Sequence, residues 1–170
     1  MLKSKEKLDN VLGTLLGTEK LIDKISVDFS TIARFSQSID WPKALQIKDS
    51  QGKRIAPPTM IFEVNCNFNR HVNAIDGSYE ALQIISQFGQ VIRAGNDYEI
   101  FGRIKEGDKI TVYRTFGRFH KRRGKNGDVM TFIDATLRYI NQDGNVVGIN
   151  HESLILLPNK IHNSKPSRKQ

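Results

Sequence analysis

The sequence predicts an α+β fold in which a helix covers one face of an antiparallel sheet. Apolar residues recur at helical spacing in the first half, and the second half alternates apolar and polar residues in long runs separated by turns. Between the halves stands Pro57-Pro58, which marks a helix start, because proline is accommodated where the backbone N–H has no intrahelical partner. Helices followed by hairpin-connected strands make one layered domain.

Asp28 to Ile39 reads as an amphipathic helix: Phe29, Ile32, Ala33, Phe35 and Ile39 fall near the 3.6 period, with Asp28 as N-cap. Asp40-Trp41-Pro42 ends it. Upstream, Leu8 to Ile25 mixes Leu and Ile with Gly13 and Gly17 and reads as a short helix and a loop. Residues 43–54 form a polar connection. Thr59 to Asn69 follows the proline pair as the second helix, with Met60, Ile61, Val64 and Phe68 on one face. The run 91–104 then places Tyr98, Ile100 and Ile104 together, and Lys105-Glu106-Gly107-Asp108 turns the chain into a strand carrying Ile110 and Val112. Val129, Thr131, Ile133, Ala135, Leu137 and Tyr139 alternate through the next strand. Asn141-Gln142-Asp143-Gly144 is a hairpin turn, and Val146 to Leu157 is the last strand. Four long strands in an antiparallel meander are expected.

The chain has 170 residues, room for one domain with a core. No apolar run approaches the roughly 20 residues that span a bilayer, so no membrane anchor is expected. Met1 to Lys7 is charged and precedes no apolar signal core, which argues against secretion. The single cysteine, Cys66, cannot form an internal disulfide and reads as a small buried hydrophobe in a reducing cytoplasm. The net charge of +8 is uneven. Met1 to Lys7 contributes +2. Arg118 to Asp128 contributes +4, as does Asn159 to Gln170, leaving the body about −2. A basic loop and basic ends are poor support for a nucleic-acid binder, because only Phe116 and Phe119 accompany the loop's cations as stacking platforms.

Four stretches carry a family resemblance: Ile32-Ala33-Arg34-Phe35 leading to Asp40; Ile55-Ala56-Pro57-Pro58-Thr59-Met60; Arg93 to Glu99 followed by Lys105 to Asp108; and Tyr139 to Val147. On these the chain resembles the MaoC-like hydratases and dehydratases. The match is to the N-terminal half of the fatty-acid-synthase-like dehydratases, and the chain is also similar to the non-catalytic subunit of mycobacterial hydroxyacyl dehydratases. The resemblance implies a hot-dog fold over residues 17–158, with residues 1–16 an N-terminal extension and 159–170 a disordered basic tail. It implies reversible hydration of a trans-2-enoyl thioester on coenzyme A or acyl carrier protein, with neither cofactor nor metal.

That chemistry needs an acid/base pair and donors for the thioester oxygen. Family enzymes supply an Asp and a His five residues apart. Here Asp40 matches, but Leu45 stands where the His belongs. None of His71, His120, His151 and His162 restores the spacing. Family enzymes also place a small residue at the start of the central helix, where its N–H faces the thioester oxygen. That position falls on Pro58, which has no N–H, while Thr59 offers one a position later. No residue is therefore assigned as catalytic. Asp40, Pro58, Thr59 and Asn96 are expected at the substrate site, though Asp40 is equally suited to capping the preceding helix. Arg122, Arg123 and Lys125 suit the phosphates of coenzyme A or an acidic carrier protein, and equally suit a solvated hairpin tip.

The resulting expectation is a non-catalytic, acyl-binding subunit in a hetero- or homodimer with a second hot-dog chain. Two alternatives stand beside it. One is a hot-dog acyl-CoA thioesterase using Glu63 or Asp76; the other is a non-enzymatic binder of nucleic acid or anionic surfaces through the basic loop and tail.

Overall fold

The computed structural model describes residues 2–61 and 84–158. Of the helix expected over Thr59–Asn69, only the start through Ile61 lies within them; Glu63, Cys66, His71, Asp76, His162 and the tail 159–170 lie outside the described residues. The elements run α1 (Leu2–Leu15), β1 (Glu19–Ser26), α2 (Phe29–Ser38), short 3-10 turns at Pro42–Gln46 and Pro58–Met60, then β2 (Gly89–Ile100), β3 (Lys109–Arg123), β4 (Val129–Ile140) and β5 (Val146–Pro158). The strands form one antiparallel sheet in the order β1-β3-β4-β5-β2.

α2 forms as its sequence dictates. The Asp28 carboxylate accepts hydrogen bonds from the Thr31 backbone N–H (2.7 Å) and from the Thr31 and Ser30 hydroxyls (2.8 Å each). Ile32 and Ser36 are buried and Phe35 packs on the core, whereas Phe29 and Ile39, at the helix ends, stay exposed. Led by the Thr31 N–H, these donors hold the Asp28 carboxyl at about 2, below its ordinary 3.8. Because the folded value is depressed, the cap's contribution is fully present above pH 3.8 and is lost as pH falls toward 2. Asp28→Asn is expected to flatten that part of the acid-unfolding curve, measured by circular dichroism between these two pH values. An unchanged curve would contradict the cap's assigned role.

Three differences from the expected arrangement have physical causes. Residues 8–25 hold a helix and a fifth strand, where a short helix and a loop were expected. Leu8, Leu12 and Leu15 recur at helical spacing and pack on the core. β1 is an edge strand whose charged residues and register shift between Leu21 and Asp23 hide the alternation. The strand expected to run to Ile104 stops at Ile100. The Phe101 and Gly102 N–H groups both donate to the Val147 carbonyl (3.0 and 3.1 Å) and turn the chain off the sheet, so Ile100 is exposed while Ile104 is buried. Finally, only β3-β4-β5 is a meander. β2 lies beyond β5, and residues 101–108 cross three strand spacings, about 14 Å, to reach β3.

The turns behave as read. Gly107 and Gly144 have positive φ (91° and 81°). Asp108 binds the Lys105 N–H (2.8 Å) with one carboxylate oxygen, and Asn141 closes the 141–144 turn through its side-chain oxygen.

Alternate residues of β3, β4 and β5 are buried and form two apolar clusters. One gathers Ile110, Val112, Leu137, Tyr139 and Val147 with Ile32, Ala56, Met60, Ile61 and Ile104. The other gathers Phe116, Ile133, Ala135, Leu154 and Leu156 with Leu12 and Ile85. On the same buried face lie Arg114, Asn150 and Glu152. Glu152 receives Arg93 (Nε to Oε1, 2.6 Å) and Arg114 (Nη2 to Oε2, 3.3 Å). Burial pulls the Arg114 guanidinium below its ordinary value, and the Glu152 charge opposes that shift.

Candidate functional site

At one end of the sheet, four segments enclose a cleft of about 490 Å³. Trp41 and Ile47 come from the stretch after α2. Ile55 to Pro58 and Ile61 come from the expected helix start, Ile100 to Ile104 from the end of β2 and its connection, and Val147 from β5. The volume falls within the range of small-molecule sites, roughly 300–1,000 Å³. Four of its lining residues are large hydrophobics left unusually open: Trp41 (39% exposed), Ile47 (42%), Ile100 (45%) and Phe101 (58%).

The proline pair shapes one wall. Pro57 is extended (φ −53°, ψ 139°) and buried, and Pro58 begins the turn with no N–H to give. The Met60 N–H is used by the Pro57 carbonyl (2.9 Å), and the Ile61 N–H by Pro58 and Thr59 carbonyls. Thr59 is exposed and outside the cleft lining.

Asp40 follows the C-cap of α2 in the left-handed region (φ 50°). Its N–H donates to the Gln37 carbonyl (3.1 Å) and the Trp41 N–H to the Ser36 carbonyl (2.8 Å), the bond pair of a Schellman termination. Its backbone therefore closes the helix, and Trp41, the next residue, reaches the cleft. Leu45, which the sequence resemblance sets against the family's His, is partly buried and packs against the first apolar cluster.

The other sequence-expected residues lie elsewhere. Asn96, on β2, accepts a hydrogen bond from the buried Asn150 side chain (2.9 Å) beside Glu152 and is not part of the cleft lining. Arg122 and Arg123 belong to the end of β3 instead of a loop, and Lys125 is in the turn beyond it. Arg122 lies over the Phe132 ring (5.1 Å). Nearby, Arg118 is bound to Asp134 (3.1 Å) and Lys121 to Asp9 (2.6 Å). Arg123 and Val129 face each other at one end of the β3–β4 ladder, while Tyr139 and Gly148 pair near the cleft at the other end of β4. A strand of 12 residues lies between these ends, about 36 Å measured along the strand. The basic hairpin and the cleft are thus separate places on the molecule.

Neither described histidine lines the cleft. His120, expected in a loop, is on β3 and stacks on Phe132 (centroids 5.1 Å apart). His151 meets Glu99 (3.1 Å) and Thr136 (3.4 Å), as a partnered strand residue. Sequence reading missed Trp41, Ile47, Ile100, Phe101 and Arg103 as a site. The available signal was large apolar residues placed directly at chain turns, in Asp40-Trp41-Pro42 and Ile100-Phe101-Gly102.

A family model described as FAS1-like, dehydratase domain region, matches residues 14–149. Among solved structures, a chain of the ChsH1-ChsH2 complex from Mycobacterium tuberculosis superposes with a TM-score of 0.67 at 13% identity, covering 93% of this chain and 98% of that one. The MaoC-like dehydratase from Rhodospirillum rubrum gives 0.59 at 15% identity, covering 84% and 92%. The C-terminally truncated HadBC (3R-hydroxyacyl-ACP dehydratase) complex from Mycobacterium tuberculosis gives 0.55 at 15%, covering 83% and 96%. No curated protein sequence matches this chain. At such identities the superpositions show the fold, which is the hot-dog fold. With its family model spanning well over half of the residues, the chain belongs to the family described as FAS1-like, dehydratase domain region.

Proposed function

We propose that this protein is the acyl-binding, non-catalytic hot-dog subunit of an enoyl-thioester hydratase or 3-hydroxyacyl-thioester dehydratase, acting in the cytoplasm beside a separate catalytic hot-dog chain. The observation that carries the reading is the cleft beside the start of the expected central helix. Pro58 on its wall has no N–H, and Leu45, where a His would act, is partly buried and packs against the first apolar cluster. An apolar, open-sided cleft of this size suits a hydrocarbon chain, and apolar surface removed from water contributes roughly 25 cal/mol per Å². Neither a base nor an oxyanion donor is supplied by those two positions.

Two features support a second hot-dog chain. β2 has one strand neighbour among the described residues, β5, and presents its other edge along 12 residues. Such an edge is a template for pairing with another chain. The similar ChsH1-ChsH2 and HadBC structures are themselves complexes.

Trp41, the one tryptophan of the sequence, lines the cleft and serves as its reporter. Titrating octanoyl-CoA into the purified protein is expected to change Trp41 fluorescence saturably. A flat titration, with no binding by calorimetry, would overturn the acyl-binding reading.

A further inference from the structure

Among the described residues, the cleft lining includes one charged side chain, Arg103. Arg54, Arg93, Arg114, Arg118 and Arg138 are each bound to a carboxylate, and Lys105, two residues on from Arg103, is paired with Asp49. Arg103 is exposed and has no ion-pair partner among the described residues. Its backbone is nonetheless held on both sides. The Gly102 N–H donates to the Val147 carbonyl (3.1 Å), and the Ile104 carbonyl accepts from the Ala56 N–H (2.8 Å). The guanidinium therefore projects from a fixed stretch beside an apolar wall.

A guanidinium offers parallel N–H donors that fit the oxygens of a phosphate or carboxylate. The apolar wall has no use for a charge, so the two together suit an amphiphile: a hydrocarbon chain against Trp41, Ile47, Ile100 and Phe101, with an oxyanion within reach of Arg103. We infer that Arg103 is the anion-positioning residue of this cleft, selecting apolar chains that carry a phosphate or carboxylate over neutral chains of the same length. The inference rests on the acyl-binding reading above. The oxyanion has two chemical sources, the phosphates of a thioester carrier and a carboxylate on the chain itself.

The test uses the full chain and three ligands of one chain length: octanoyl-CoA, octanoate and octanol. Each is titrated against wild type, Arg103→Gln and Arg103→Lys by Trp41 fluorescence. Wild type is expected to bind at least one anionic ligand about tenfold more tightly than octanol, in keeping with a charge-assisted hydrogen bond. Arg103→Gln is expected to remove that preference while octanol binding and the thermal midpoint stay unchanged, and Arg103→Lys to restore part of it. Preference for octanoyl-CoA alone assigns the carrier phosphates, and preference for octanoate assigns a chain carboxylate. If all three ligands bind wild type equally, or Arg103→Gln keeps the preference, the role given to Arg103 is wrong while acyl binding stands. If wild type binds none of them, both readings fall.

Discussion

Replacing Glu152 with alanine is expected to destabilise the protein by about 3–5 kcal/mol, the cost of leaving a buried charge without its partner. Glu152 is fully buried, with Arg114 buried beside it and Arg93 reaching in from β2. Removing the carboxylate strands the Arg114 guanidinium, whose Nε already has no hydrogen-bond partner among the described residues. Urea unfolding monitored by circular dichroism measures the loss, and a change below about 1 kcal/mol would show that the pair is solvated, as at a surface. Glu152→Gln, which keeps a hydrogen-bond acceptor but not the charge, is expected to fall between the two. The same ion cluster holds edge strand β2 against β5, so amide exchange in β2 is expected to accelerate first in Glu152→Ala.

Phe101→Ser is expected to weaken octanoyl-CoA binding by about tenfold or more while leaving the unfolding midpoint nearly unchanged. Phe101 is the most open of the large hydrophobics at the cleft, so the folded protein gains little from it. A ligand that covers the ring buries its apolar surface, a contribution of roughly 1.5–3 kcal/mol for a full phenylalanine side chain. Calorimetry of the variant beside wild type separates the effects. Unchanged affinity would place the acyl chain elsewhere, and a large fall in the midpoint would make Phe101 a core residue.

The parts of the fold legible in the sequence were those set by local chemistry. Asp28 and the apolar spacing after it specified α2, Gly107 and Gly144 specified turns, and the alternation from Val129 to Tyr139 specified β4. What escaped depends on partners distant in sequence. β1 is an edge strand of mixed charge with a register shift, so its pattern is visible only beside β3. The position of β2 follows from pairing with β5, a contact that no local signal encodes. The site divides in the same way. Pro58 was readable as a helix start without an N–H and Leu45 as an apolar residue, and the structure places the first on the cleft wall and the second against the apolar cluster. The cleft was not, because its wall is assembled from four separated segments whose exposed apolar residues look, one at a time, like the ends of helices and strands. The cations of residues 118–125 gave the sequence its most visible charge cluster, yet the sheet carries them to the opposite end of β4 from the cleft.

The central claim, that the chain binds an acyl thioester without transforming it, is tested most directly by incubating the purified protein alone with crotonyl-CoA and with a longer trans-2-enoyl-CoA. Loss of the enoyl thioester's absorbance is followed in a sample whose Trp41 fluorescence shows the cleft to be occupied. The expected result is saturable binding with no enzymatic hydration, activity appearing only when a catalytic hot-dog chain is added. Turnover by this chain alone at an ordinary enzymatic rate, about 1–10³ per second, would contradict the account and return the missing acid/base chemistry to residues of this protein.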